Sequence, residues 1–117
     1  MLLHNLNWSK NPEDKCYTLE EINPTNQYFE DLYPGVYLIW QPGETIYAGQ
    51  GNIGQRLAVH RQTYQYARHN LLVSWAEVPT LNARRGIEVY LHKQLEPRDS
   101  TCNLTDYPIP VTFPWGS

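Results

Sequence analysis

Apolar and polar positions alternate most cleanly in GVYLIW, residues 35–40. Val36, Leu38 and Trp40 fall on one side of a strand, Tyr37 and Ile39 on the other. Gln41-Pro42-Gly43-Glu44 has turn chemistry, because proline presets φ and glycine accepts the positive φ that follows. The return strand is read over 45–48, so a hairpin sets Tyr37 and Tyr47 on neighbouring strands and on one face. Gly49-Gln50-Gly51 is read as a sharp turn off the sheet. Asn52, with Gln55 three residues on, is a good N-cap for a helix over 53–67. Ile53, Leu57 and Tyr64 mark its buried side, while Arg56 and His60, four apart, share another. Alternation returns in LLVSWAEV, a third strand over 71–78 that Pro79 ends. A second helix runs from 81 or 82 to 95, with an apolar stripe of Ile87, Tyr90, Leu91 and Leu95. Arg84, Glu88 and His92 form an i, i+4 ladder beside that stripe, and Pro97 closes the helix.

The order β-β-α-β-α describes one small α+β domain over 34–104, between an extension, 1–33, and a proline-rich tail, 105–117. In the extension Thr18 and Glu21 fit a capping box, which predicts a short helix that Pro24 stops; a further turn is read over 27–33. Trp8, Tyr28 and Phe29 are expected to pack this arm on the domain.

With 117 residues the chain can bury one modest core. No apolar run approaches the ~18 residues of a membrane span, and Met-Leu-Leu-His lacks the basic and apolar regions of a secretory signal. Cys16 and Cys102 lie far apart without metal-ligand spacing, so free thiols and a cytoplasmic location are expected, with a single bridge as the alternative. The four histidines show no zinc spacing either. Net charge is −3, which is not that of a strongly basic nucleic-acid binder. It is unevenly placed: 1–33 hold two bases against six acids, 34–117 seven against six.

Together GVY at 35–37, YAG at 47–49, Arg56, His60, Glu88 and Asn103 resemble the GIY-YIG nuclease family, over about residues 34–104. The resemblance implies a three-stranded antiparallel sheet flanked by helices, and a metal-dependent endonuclease that hydrolyses DNA phosphodiester bonds. It implies that Glu88 holds a single Mg²⁺, or Mn²⁺, that Arg56 pairs with the phosphate, and that Tyr37 and Tyr47 line the site. His60 would contact phosphate or relay a proton, and Asn103 would orient Glu88. Gly49, Gln50 and Arg61 complete the expected substrate-binding set. Ala48 stands where isoleucine is usual, and Gln50 where several members carry lysine or serine. The expected partner is DNA, branched or damaged DNA included, with a partner protein supplying affinity that the acidic chain lacks. The acidic arm is expected to cover the cleft, so that deleting 1–30 raises DNA affinity without unfolding the domain.

Each residue also has a structural reading. The tyrosines could be cross-strand packing, Arg56 and His60 surface groups, Glu88 the middle of its ladder, and Asn103 a loop residue. Trp40, Trp75 and Trp115 fit core or tail packing better than base stacking. Two further functions follow: a catalytically weak or inactive nucleic-acid-binding or assembly module with the same fold, favoured by Gln50 and the acidic arm, and an unrelated α+β protein-interaction domain.

Overall fold

The computed structural model describes residues 3–23, 29, 32–103 and 105–116. In chain order its elements are β1 (Tyr17–Thr18), a 3-10 turn (Leu19–Glu21), β2 (Pro34–Gln41), β3 (Glu44–Asn52), α1 (Ile53–Thr63), β4 (Leu72–Glu77) and α2 (Leu81–Leu95). The fold is α+β, and every strand pairing is antiparallel.

The sheet has four strands, ordered β1-β4-β2-β3, where three were expected. The fourth comes from the extension, which pairs Tyr17 with Val73 and Thr18 with Leu72. A two-residue strand has no period to read. The capping box beside it forms: Thr18 Oγ1 accepts from Glu21 N at 3.3 Å, and Glu21 Oε1 accepts from Thr18 N at 2.8 Å. It caps a single 3-10 turn; Pro24 and most of the turn read over 27–33 lie outside the described residues.

Strand β2 pairs on both sides, and its alternation divides the core in two. Tyr37 and Ile39 pack with Ile53 and Leu57 of α1. Val36, Leu38 and Trp40 pack with Ala48, Ile87 and Leu91, the last two from α2. The sheet is thus covered by α1 on one face and α2 on the other, and each fully buried branched side chain contributes about 1.5–3 kcal/mol. Trp40 and Trp75 are buried, and Trp115 stacks on Phe113 at 5.4 Å, which supports their packing role.

Strand β3 differs from its reading in two ways. Ile39 pairs with Tyr47 but Trp40 with Thr45, so Ile46 is a bulge residue, and Ile46 and Tyr47 both reach the α1-side core. Gly49-Gln50-Gly51 does not turn off the sheet: it stays paired with Tyr37, Val36 and Gly35. The glycines serve close approach by other groups rather than a turn. Helix α1 starts at the expected cap, with Asn52 Oδ1 accepting from Gln55 N at 3.1 Å, but ends at Thr63 rather than 67. Tyr64 caps it, and turns fill 64–70. Strand β4 and α2 run as expected.

Both sheet edges are covered, which blunts edge pairing with other chains. β1 covers β4. Along β3, Arg98 N donates to Thr45 O (3.0 Å), Asp99 N to Ile46 O (2.8 Å), and Ser100 Oγ accepts from Ala48 N (3.0 Å). The extension is part of the core. Leu19, Ile22, Phe29 and Trp8 are buried, Trp8 Nε1 donates to Thr112 O at 2.8 Å, and His4 bridges to Val111 of the tail. Tyr28 lies outside the described residues. Deleting 1–30 would therefore open the core, so the arm is no detachable cover. Cys16 and Cys102 are free, and no helix among the described residues is long and apolar enough to cross a membrane.

Candidate active site

The β2–β3 register places Gly49 opposite Tyr37 and Tyr47 opposite Ile39, so the two phenols stand diagonally on the α1 face. Their rings are parallel, with centroids 6.1 Å apart. Two turns into α1, His60 reaches both: its Nε2 lies 2.8 Å from Tyr37 Oη, and its ring centroid is 4.3 Å from that of Tyr47. Tyr64 follows at 6.3 Å from His60, with its hydroxyl donating to Asp99 Oδ2 at 2.7 Å.

The glycines make this packing possible. A Cβ at Gly49 would stand 2.5 Å from Tyr37 Oη, and one at Gly51, where φ is 130°, would stand 3.4 Å from Arg56 Nε. The Arg56 side chain therefore lies along the backbone at Gly51. Helix α2 packs on the other face of the sheet, yet Glu88 is near enough for Arg56 to lower its pKa and for its own charge to raise that of Tyr37. Tyr37, Tyr47 and His60 thus pack together beside Gly49, with Arg56 at Gly51 and Glu88 within reach of their charges.

They form two layers. Tyr37 and His60 are 1% and 9% exposed; Tyr47 and Glu88 are half-buried, and Arg56 is exposed. Burial first, then the Tyr47 phenol, raises the Tyr37 pKa, against a smaller pull from Arg56. Burial, then Arg56, lowers the His60 pKa to about 4. At neutral pH the inner pair is uncharged. Burial raises the Glu88 pKa, with His92, Arg56 and Arg85 pulling it back. Among the described residues, the Tyr47 hydroxyl, the Arg56 guanidinium and the Glu88 carboxylate make no hydrogen bond or ion pair with protein. The outer layer is chemically open and the inner one is satisfied.

Other expected site residues go elsewhere. Arg61 is held by the extension, with Nε donating to Glu20 O at 3.2 Å and Nη2 3.7 Å from Glu20 Oε2; that carboxylate also pairs with Arg68. Gln50 alternates away from the phenols, and its Oε1 accepts from Arg84 Nε at 3.0 Å. Arg84 also donates to the carbonyls of Val78 and Pro79, so it takes no part in a ladder with Glu88. Asn103 is exposed and makes no hydrogen bond to Glu88 among the described residues. The ladder's third member, His92, meets the Glu88 carbonyl through Nδ1 at 3.0 Å and Ser100 Oγ through Nε2 at 3.0 Å. Nothing in the sequence marks Ser100, which lies in an irregular stretch and acts across 52 residues on Ala48.

Charge around the site is largely neutralised. Arg85 pairs with Asp106 at 3.1 Å, and Arg98 with Asp99 at 3.0 Å and Glu44 at 3.5 Å. Of the lysines and arginines after residue 33, Arg56 and Lys93 alone lack an ion pair or hydrogen bond among the described residues. No group of three or more His, Cys, Asp or Glu gathers to hold a metal ion among the described residues. Glu88, a half-buried carboxylate with no ion pair or hydrogen bond among the described residues, fits a hydrated cation that takes one protein oxygen and keeps most of its waters. The chain matches no family model, and searches of curated proteins and of solved structures found no significant match.

Proposed function

We propose that this chain is a metal-dependent endonuclease of the GIY-YIG type, hydrolysing DNA phosphodiester bonds. One observation carries the reading: two phenols and an imidazole pack together beside Gly49, the Arg56 guanidinium lies at Gly51, and the Glu88 carboxylate is within reach of their charges, while the Tyr47 hydroxyl, Arg56 and Glu88 make no hydrogen bond or ion pair among the described residues.

Arg56 offers a planar fork to the non-bridging phosphate oxygens, where developing charge is stabilised. Glu88 would hold the divalent cation, Mg²⁺ or Mn²⁺, which when bound supplies positive charge to the phosphate and the leaving oxygen. The Tyr47 hydroxyl holds the attacking water in line. Water adds to phosphorus, the P–O ester bond breaks, and the departing oxygen takes a proton from solvent. The buried Tyr37–His60 pair backs the Tyr47 ring and fixes its place, and the proton that the water loses passes to solvent. With its thiols free, we place the protein in the reducing cytoplasm.

Gln50, which stands where several family members carry lysine and is held by Arg84, favours one second reading, a module of the same fold that binds nucleic acid without turnover. The test is to incubate pure protein with supercoiled plasmid and with branched or flapped DNA, with Mg²⁺ or Mn²⁺ and with chelator. Cutting that needs metal and disappears in Glu88→Ala and Arg56→Ala supports the enzyme. Binding without cutting supports the second reading. Neither binding nor cutting points to a protein-interaction domain.

A further inference from the structure

We propose that Ser100 and His92 are positioning residues for Glu88, fixing its turn of α2 against the strand that carries Tyr47 and Gly49; this rests on reading Glu88 as the site carboxylate. Three hydrogen bonds of 3.0 Å form an unbroken chain from β3 to that turn: Ala48 N to Ser100 Oγ, Ser100 Oγ to His92 Nε2, and His92 Nδ1 to Glu88 O.

The direction of each bond follows from chemistry. The Glu88 carbonyl can only accept, so His92 Nδ1 carries the ring proton. In the neutral ring Nε2 is then an acceptor, and Ser100 Oγ–H is the donor that meets it. Ser100 Oγ keeps a lone pair for the Ala48 N–H. In this neutral tautomer each of the three bonds has one donor and one acceptor. Ser100 is itself held, because the two residues before it donate to Thr45 O and Ile46 O.

Positioning matters here because the Glu88 carboxylate has no side-chain partner of its own among the described residues. Its place depends on where the α2 backbone sits. Sites of this kind tolerate displacements of only about 0.5 Å. Asn103, to which the family resemblance assigns the orienting task, makes no contact of the kind. Ser100 and His92 do the task instead, acting on the backbone of Glu88 rather than on its oxygens.

The test compares wild type, Ser100→Ala and Ser100→Thr in three measurements. In the metal-free protein, ¹⁵N imidazole spectra should show His92 protonated at Nδ1. With Mn²⁺ alone as probe, paramagnetic broadening of the Glu88 carboxyl signal should need about tenfold more Mn²⁺ in Ser100→Ala and return toward wild type in Ser100→Thr. In the cleavage assay, kcat should fall about 10–100-fold in Ser100→Ala with KM little changed, again restored by threonine. A His92 ring protonated at Nε2, or Mn²⁺ broadening in Ser100→Ala equal to wild type, overturns the inference. A wild type that cuts no DNA overturns the function reading alone, and the imidazole and Mn²⁺ measurements still decide the positioning role.

Discussion

Gly49 faces Tyr37 across the β2–β3 pair, and the phenol lies over it so closely that a Cβ at position 49 would stand 2.5 Å from Tyr37 Oη and 2.7 Å from its Cζ. At 1% exposure Tyr37 has no free space to swing into. Gly49→Ala should therefore cost about 1–3 kcal/mol in urea unfolding, the range for overpacking. By moving the phenol off His60 it should also lower single-turnover cleavage about 10²-fold. Unchanged stability would mean that the ring yields more easily than its burial indicates.

The buried imidazole sets a pH dependence. His60 has a folded pKa near 4 against an ordinary 6.5, so the unfolded chain binds its proton first as pH falls. The stability that comes from keeping His60 neutral is complete above pH 6.5 and is lost progressively between 6.5 and 4. His60→Gln should remove that part of the slope. Unfolding midpoints measured from pH 7.5 to 4.5 check it, and equal slopes for the two proteins would contradict the burial argument.

Arg56 lowers the His60 pKa and, in the proposed function, pairs with the phosphate, and the two effects can be read separately. Arg56→Ala should reduce kcat/KM by about 10²–10³, as loss of a charge-stabilising donor does. Arg56→Lys should recover only part of that, since an ammonium cannot make the two-pronged contact. In the free protein, burial still lowers the His60 pKa after Arg56→Ala but the arginine's charge is gone, so the titration midpoint should move above its present value near 4. NMR titration of the histidines shows this directly.

Much of this was legible in the sequence. The GVYLIW alternation gave both faces of β2, and the stripe Ile87, Tyr90, Leu91, Leu95 gave α2 to within a residue. The family pattern leads to the expectation that Tyr37, Tyr47, His60, Arg56 and Glu88 gather; the first three pack together and Arg56 lies at Gly51, while Glu88 is coupled to them through charge alone. What escaped reading depends on contacts between distant segments. The glycines of β3 look like a turn because their role, making room for Tyr37 and Arg56, appears only once the strands pair. Helix α1 was read four residues too long, since 64–67 carries no glycine or proline to stop it. Two-residue β1 and the Ser100–His92 chain have no local signature at all.

The extension offers one more test. Glu20 holds both Arg61 and Arg68, so Glu20→Gln should release two cations beside α1. DNA affinity at low salt should rise and its salt dependence steepen, as expected when more phosphates are neutralised. Deleting residues 1–23 should instead unfold the domain, because Leu19 and Ile22 are fully buried. Affinity unchanged in Glu20→Gln would show that these arginines do not face the nucleic acid.

The most direct measurement is the single-turnover rate of Mg²⁺-dependent cleavage of a branched DNA by wild type and by Glu88→Gln, with DNA affinity measured in parallel. The account predicts that wild type cuts, that chelator stops it, and that Glu88→Gln binds the same DNA but cuts it at least 10²-fold more slowly. A Glu88→Gln protein that cuts at the wild-type rate, or a wild type that binds without ever cutting, would contradict it.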